Sequence, residues 1–92
     1  MMLRNSYNAD LSLKDVGKQV LLVGWVAKKR NLGSLIFIDL RDRTGIVQLT
    51  VNEGVTIPDV RNEYVIQAKG VVAKKAVANK NLKTGEIEVV VS

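Results

Sequence analysis

An aromatic ring, an amide and a run of cations lie in the middle of the sequence, and together they suit one kind of ligand. Phe37 is the only phenylalanine of the chain, with Lys28, Lys29 and Arg30 before it and Gln48 after it. Aromatic rings stack on bases, amides hydrogen-bond base edges, and cations bind phosphates. This combination is typical of a surface that binds a flexible, negatively charged ligand with unstacked bases.

Two successive strands are expected to place these groups on one face of a small sheet. The strand around Phe37 alternates in type, with apolar residues on one side and Phe37 on the other. The next strand alternates in the same way and leaves Ile46, Gln48 and Thr50 outside. The side chains expected to be buried in these two strands are Ile36, Ile38, Leu40, Val47, Leu49 and Val51.

The composition limits the class of protein. Ninety-two residues allow one domain, and 47% apolar with 25% charged residues is an ordinary globular balance. The net charge of +5 favours a nucleic acid as partner, although excess lysine serves solubility equally well. The absence of cysteine excludes disulfides, and the absence of histidine removes the commonest general base and metal ligand. We therefore expect a cytoplasmic domain without a metal site, a membrane span or an enzymatic activity of its own.

Five strands and two short helical pieces are predicted along the chain. Residues 1–10 are expected to be an irregular lead-in. Ser12 and Asp15 resemble a capping box and predict one helical turn that ends before Gly17. Pro58 predicts a short helix over residues 58–62. The predicted strands cover residues 19–29, 35–41, 46–51, 64–76 and 86–91.

This order of elements predicts the fold. Three strands, a short helix and two further strands form the element order of a five-stranded Greek-key barrel, the all-β OB-fold, which binds oligonucleotides on strands two and three. Gly24 inside the first strand is expected to mark a bulge or bend that helps to close the barrel. An SH3-like barrel is the main rival, but it accounts less well for the helical insertion.

Structural roles are expected for three further residues. Trp25 is expected to pack in the core or at the barrel end, because Val23 and Ala27 on its face are apolar. Arg41 and Arg43 are expected to pair with carboxylates around the hairpin between strands two and three.

Three separated blocks carry a family resemblance. GWVAKKRNLGSLIFIDLRDRTGIVQ, VRNEYVIQAKG and LKTGEIEVVVS closely resemble the N-terminal anticodon-binding domain of bacterial-type aspartyl-tRNA synthetases, in the same order and over nearly the whole chain. Lysyl and asparaginyl enzymes share the barrel, but the LGSLIFIDLRDR and TGEIEV blocks resemble the aspartyl enzymes. The resemblance implies a parent reaction, ATP-dependent aspartylation of tRNA, whose ATP and magnesium bind a catalytic domain absent from this chain. It implies no cofactor for the present domain.

The resemblance also implies roles for single residues. Phe37 would stack on the middle uracil of the anticodon, Gln48 would hydrogen-bond anticodon bases, Arg30 would contact the anticodon loop, and Glu88 would face a flanking base. Cations before the second strand would hold phosphates, and the loop after strand four would supply further contacts. The complete set of expected RNA-binding residues is Lys28, Lys29, Arg30, Phe37, Gln48, Lys75, Asn79 and Glu88.

The sequence departs from the family in two respects. Relatives usually carry arginine at Lys28, Lys29, Lys74 and Lys75, and lysine lacks the planar fork of arginine. The segment between strands three and four also looks shorter than usual. We expect a monomer that binds the anticodon loop of aspartate tRNA. The alternative is a free-standing OB module that binds single-stranded nucleic acid or a protein without selective reading.

Overall fold

The structure, a computed structural model, describes residues 4–92 and contains five strands. Their bounds are β1 (Gln19–Leu32), β2 (Leu35–Asp42), β3 (Gly45–Val51), β4 (Val65–Lys74) and β5 (Ile87–Val91). The strands form a closed barrel in the order β1-β2-β3-β5-β4. Neighbouring strands are antiparallel except for the parallel pair β3–β5. The predicted all-β, five-stranded Greek-key barrel is therefore confirmed.

Alternate residues of every strand fill the barrel interior. Burial of each such aliphatic side chain stabilises the fold by about 1.5–3 kcal/mol. The predicted inward sets of β2 and β3 are confirmed, with Ile36 half-buried at the edge of the core and the other five residues buried. The aliphatic side chains that are at most 2% exposed are Leu22, Val26, Ile38, Leu40, Val47, Leu49, Val51, Val72, Ile87 and Val89.

Two glycines allow neighbouring strands to approach closely enough for the barrel to close. A Cβ atom at Gly24 in β1 would overlap the carbonyl oxygen of Arg41 in β2. A Cβ atom at Gly70 in β4 would likewise overlap the carbonyl oxygen of Val90 in β5. Any side chain at either position would force these backbones apart, so closure of the barrel depends on glycine there.

The predicted turn before β1 is confirmed as the 3-10 helix Leu13–Asp15. Ser12 and Asp15 form the capping box, in which each side chain accepts a hydrogen bond from the other residue's backbone. Gly17 follows with a φ of +94°, a left-handed conformation that ends the turn and favours glycine.

A second 3-10 helix, Asn8–Asp10, lies within the segment predicted to be irregular. Residues 1–3 of that segment lie outside the described residues. Asn8 is fully buried, and its Nδ2 donates hydrogen bonds to the carbonyl oxygens of Leu40 (2.9 Å) and Gly45 (3.1 Å). The start of the chain is thus fastened to the β2–β3 hairpin.

The predicted helix over residues 58–62 is wrong. Residues 52–64, which we call the β3–β4 segment, contain no helix. So short a helix would not offset its nucleation cost, and Ile57, at the N-cap position, has no side-chain oxygen to accept from the first N–H groups. The irregular path instead lets Ile57 and Val60 pack against the barrel core. In residues 4–92, no helix is long and apolar enough to cross a membrane.

Candidate nucleic-acid interface

Four side chains from four neighbouring strands lie on one outer surface of the barrel. Arg30 in β1 is directly opposite Phe37 in β2. Gln48 in β3 is paired with Asp39, two positions along β2 from Phe37. The parallel register of β3 and β5, continued by one residue, brings Glu88 level with Gln48. We call Arg30, Phe37, Gln48 and Glu88 the outer face; the structure brings these four predicted site residues together.

The guanidinium group of Arg30 is held beside the Phe37 ring. Its carbon lies 5.9 Å from the ring centroid, within the range of a cation–π contact. Its two terminal nitrogens donate to the two carboxylate oxygens of Asp39, at 3.3 and 3.4 Å. Such partly exposed ion pairs contribute only about 0–1 kcal/mol to stability. The main effect of Asp39 is therefore to fix the direction of the Arg30 side chain.

Gln48 and Glu88 supply hydrogen-bond acceptors next to the ring. Nε2 of Gln48 donates to Oγ1 of Thr50 at 3.2 Å, which leaves the amide oxygen of Gln48 to face a ligand. Thr50 lies on the outer side as predicted, but it is only 5% exposed. Glu88 is half-buried, and its side chain forms no hydrogen bond or ion pair with residues 4–92. The two residues can accept hydrogen bonds from the N–H groups of a base on the outer face.

A β-bulge determines which of the neighbouring cations join the outer face. The β1–β2 register shifts between Val26 and Lys28, so one extra residue is inserted at that point. After the bulge, Lys28 and Arg30 point outward, and Lys29 points inward beside Ile38.

Lys29 is engaged at the barrel end instead of on the outer face. Its Nζ donates to the carbonyl oxygen of Val60 at 3.1 Å and lies 3.9 Å from an oxygen of Asp59. The Lys29 side chain is only 23% exposed. The structure therefore separates two neighbouring lysines to which the sequence assigned the same role: Lys28 is exposed beside the outer face, and Lys29 holds the β3–β4 segment.

The loop between β4 and β5 places Lys75 and Asn79 differently. Lys75 continues the β4–β5 pairing, because its backbone N–H donates to the carbonyl oxygen of Glu86 at 3.0 Å. Asn79 lies in the exposed part of the loop, where its Oδ1 accepts from the backbone N–H of Asn81 at 3.0 Å. The side-chain oxygen of Asn79 thus shapes the loop, and its amide nitrogen faces outward. The Thr84 hydroxyl closes the loop by donating to the Ile46 carbonyl oxygen.

Trp25 does not lie in the core, the first of the two places predicted for it. Gly24 and Val26 face the interior, so Trp25 points outward, opposite Arg41 of β2 and Val65 of β4. Trp25 is half-buried and is not part of the core cluster. The apolar neighbours on its own face led to the wrong prediction. The correct signal is its alternation with the buried residues of β1.

Sequence reasoning missed a cluster formed by Arg4, Tyr7 and Arg43. The guanidinium carbons of Arg4 and Arg43 lie 4.5 and 4.6 Å from the centroid of the Tyr7 ring. The neighbouring guanidinium groups of Arg43 and then Arg4 lower the pKa of the Tyr7 phenol below its usual value. The predicted pairing of Arg41 and Arg43 with carboxylates is wrong, because neither forms an ion pair with any residue from 4 to 92. No sequence signal connects these distant positions.

The sequence of this chain is similar to a known family of domains and to several known proteins. The tRNA anticodon family model, described as an OB-fold nucleic acid binding domain, matches residues 20–92. An aspartate–tRNA(Asp/Asn) ligase of Bacillus subtilis is 51% identical over 94 residues, covering 94% of this chain and 16% of that protein. An aspartate–tRNA ligase of Lactobacillus acidophilus is 47% identical over 92 residues, covering 94% of this chain and 15% of that protein. The chain thus spans about a sixth of the length of these curated relatives.

Solved structures agree with the fold. Asparaginyl-tRNA synthetase from Pyrococcus horikoshii matches with a TM-score of 0.79 at 30% identity, over 98% of this chain and 21% of that chain. The OBody AM3L09, solved bound to hen egg-white lysozyme, matches with a TM-score of 0.82 at 22% identity, over 100% of this chain and 92% of its own. At that identity, the second likeness concerns the fold alone.

Proposed function

This chain belongs to the tRNA anticodon family of OB-fold nucleic acid binding domains, and on that premise we propose that its outer face binds the anticodon loop of a tRNA for aspartate. The observation that carries the proposal is the alignment of Arg30, Phe37, Gln48 and Glu88 across four neighbouring strands. The names of the curated relatives, which are aspartate–tRNA ligases, support aspartate tRNA as the specific partner.

In this proposal, an unstacked base lies on the half-buried Phe37 ring. Stacking of one base on an aromatic side chain contributes about 1–3 kcal/mol but discriminates little among bases. Selectivity therefore depends on the amide oxygen of Gln48 and the carboxylate of Glu88. Both accept hydrogen bonds from base N–H groups, and the carboxylate repels bare carbonyl oxygens, which disfavours wrong bases.

Cations around the outer face bind the phosphates of the loop. Lys28 is exposed beside Asp39 and close to Arg30. Lys75, together with the outward amide nitrogen of Asn79, borders the β5 side of the face. Each phosphate contact releases counterions, so binding to the RNA is expected to weaken as the salt concentration rises.

The wider role of the domain follows from its relatives. We propose that it serves ATP-dependent aspartylation of tRNA in the cytoplasm, and that it is monomeric when isolated. ATP and magnesium would bind a catalytic domain that is not in this chain. The barrel itself offers no cluster for a metal, because no group of three or more acidic, histidine or cysteine ligands occurs within residues 4–92.

The test compares two anticodon stem-loops at one moderate salt concentration. One carries GUC and the other GCC, because cytosine lacks the N3–H donor of uracil, which the amide oxygen of Gln48 would accept. We expect the GUC loop to bind more tightly. Phe37→Ala is expected to weaken binding by about 1–3 kcal/mol, and Gln48→Ala to remove most of the preference. Tyr64→Ala is the control, because Tyr64 is an exposed aromatic residue just before β4, outside the outer face.

Equal binding of the two loops by the unaltered protein would contradict selective reading. The domain would then be a non-selective OB module for single-stranded nucleic acid. Weak binding of both loops that does not respond to Phe37→Ala would contradict the use of the outer face itself.

A further inference from the structure

The Tyr7 cluster, formed by Arg4, Tyr7 and Arg43, joins the start of the chain to the β2–β3 turn. Both guanidinium carbons lie within 4.6 Å of the Tyr7 ring centroid. Arg4 also donates from Nη2 to the carbonyl oxygen of Val23 at 3.4 Å, which fixes its direction from a second side. Both arginines are exposed, and Tyr7 is half-buried. The ring thus holds two exposed guanidinium groups, each in contact with it.

The charge of this cluster is not neutralised within the described part of the chain. Neither Arg4 nor Arg43 forms an ion pair with a carboxylate in residues 4–92. Holding two like charges on one ring costs free energy, which the cation–π contacts and the phenol oxygen partly offset. An anion bound at the cluster would reduce the repulsion.

The nearest carboxylate along the chain, Asp42, is fully engaged elsewhere. Its Oδ1 accepts from the Thr44 N–H (2.8 Å), the Thr44 hydroxyl (2.5 Å) and the Gly45 N–H (3.2 Å). Its Oδ2 accepts from the Asn8 N–H at 2.8 Å. Asp42 is only 5% exposed, so it fastens the turn and leaves both arginines free for an external ligand.

Arginine forks have a preferred anionic ligand. The guanidinium group presents parallel N–H donors that match the oxygens of phosphate or carboxylate and bind them bidentately. Two such forks on a rigid ring therefore form a site for a phosphate group. The surface between the outer face and the Tyr7 cluster indicates which molecule carries this phosphate.

An outward row of β2 connects the outer face to the cluster. Phe37, Asp39 and Arg41 alternate outward along the strand, and Arg43 follows in the turn. Asp39 is neutralised by Arg30, whereas Arg41 is exposed and forms no ion pair within residues 4–92. At about 3.3 Å per residue, the path from Phe37 to Arg43 is roughly 20 Å, the length of about six stacked nucleotides of one strand.

We propose that the Tyr7 cluster binds a backbone phosphate of the same RNA whose anticodon bases occupy the outer face, about six nucleotides away on the stem side of the loop. The proposal rests on the proposed function, since it places the RNA on the outer face first. The cluster adds affinity and fixes the direction of the RNA along β2. It does not read bases.

The test measures how binding of a GUC stem-loop to the full chain depends on salt. Arg4→Gln and Arg43→Gln are each expected to lower the slope of log K against log salt by about 0.7–0.9. The double variant is expected to bind about tenfold more weakly at moderate salt. Arg61→Gln is the matched control, because Arg61 is also an exposed arginine, paired with Asp59 at 3.3 Å on the β3–β4 segment. The control is expected to keep the slope.

A short RNA separates a direct contact from general attraction. A pentanucleotide centred on GUC cannot reach from Phe37 to Arg43, so the double variant and the unaltered chain are expected to bind it equally. The double variant is also expected to bind the GUC and GCC stem-loops more weakly by the same factor. Loss of the GUC preference through Gln48→Ala tests the outer face independently, so failure of either proposal leaves the other measurable.

Three results would overturn the phosphate site. The first is an unchanged salt slope in the double variant, which would indicate that the cluster binds another ligand, such as an acidic protein segment. The second is an equal loss of slope in Arg61→Gln, which would show that only net charge matters. The third is an equal loss of affinity for the pentanucleotide. Urea unfolding of each variant identifies any loss caused by misfolding, and we expect unchanged or higher midpoints because repulsion is relieved.

Discussion

The direction of Arg30 beside Phe37 depends on one carboxylate. Asp39 accepts from both terminal nitrogens of Arg30, at 3.3 and 3.4 Å, and Asp39 itself is paired with Gln48 on the neighbouring strand. A freely rotating arginine would attract any phosphate near the outer face. A fixed arginine favours only an RNA whose base and backbone fit the ring and the fork together. Asp39 therefore acts as a positioning residue for selective binding.

Asp39→Asn is expected to raise affinity for RNA while lowering selectivity. The variant removes a negative charge from the face, so a GCC stem-loop should bind about two- to threefold more tightly through nonspecific attraction. The preference for GUC should narrow because Arg30 is no longer oriented. Filter binding of both stem-loops measures the two effects. Asp59→Asn, which removes the carboxylate partner of Arg61 away from the outer face, should leave the preference intact. An unchanged preference in Asp39→Asn would contradict the positioning role.

Single residues also show that alternation along a strand predicts which side chains share a face. Phe37 and Gln48 were assigned to one face from strand periodicity, and the structure places them there. Trp25 was misassigned because its apolar neighbours were weighed more heavily than its alternation with buried residues. The partner of Arg43 is Tyr7. A contact between residues so distant in the chain has no local pattern, so only the folded chain shows it.

At the scale of elements, the bulge in β1 assigns opposite roles to consecutive lysines. If Ala27 were paired with Asp39 in a regular register without the bulge, Lys29 would stand opposite Phe37 and Lys28 would point into the barrel. With it, Lys28 lies outward and Lys29 binds the Val60 carbonyl oxygen.

Lys28→Gln and Lys29→Gln form a matched pair that tests this assignment. Lys28→Gln should lower the salt slope of RNA binding by about 0.7 and leave stability unchanged. Lys29→Gln should keep the slope but lower the free energy of unfolding by about 0.5–1.5 kcal/mol, because a hydrogen bond to the β3–β4 segment is lost. Salt titrations and urea unfolding of both variants provide the comparison. A reduced slope in Lys29→Gln alone would mean that the bulge does not separate the two side chains in solution.

The bounds of the strands were largely predictable, whereas their irregularities were not. Period-two alternation predicted all five strands to within three residues at each end. The bulge has no local signal, because Ala27 fits either side of a strand. The predicted helix at residues 58–62 does not form because packing of Ile57 and Val60 against the core outweighs a weak local preference for helix.

At the scale of the whole molecule, one buried carboxylate joins the start of the chain to the barrel. Asp42 accepts hydrogen bonds from Asn8, Thr44 and Gly45. Burial alone would raise the pKa of Asp42, but these hydrogen bonds outweigh burial and lower it below its usual value. A lowered native pKa stabilises the fold above the unfolded pKa of about 3.9, and that stability is lost as pH falls through the native value.

Asp42→Asn is therefore expected to change how the free energy of unfolding depends on pH under acidic conditions. At neutral pH the variant should be about 1–3 kcal/mol less stable, because buried donors lose a charged acceptor. Below about pH 5 its stability should fall less steeply than that of the unaltered chain, since Asp42 no longer takes up a proton. Some slope will remain, because the Lys18 side chain also lowers the pKa of Asp15. Urea unfolding between pH 7 and pH 2 measures both changes. Parallel curves for the two proteins would contradict the role of Asp42.

The closed order β1-β2-β3-β5-β4 has one consequence for evolution. Each of these five strands is paired on both sides, so none of them offers a free edge to which another chain could add by main-chain hydrogen bonds. A ligand of the barrel wall must therefore be recognised through outward side chains, which contribute little to the packed interior. Mutation can exchange those side chains while the scaffold persists. The barrel wall is thus free to change its ligand more quickly than the chain can change its fold.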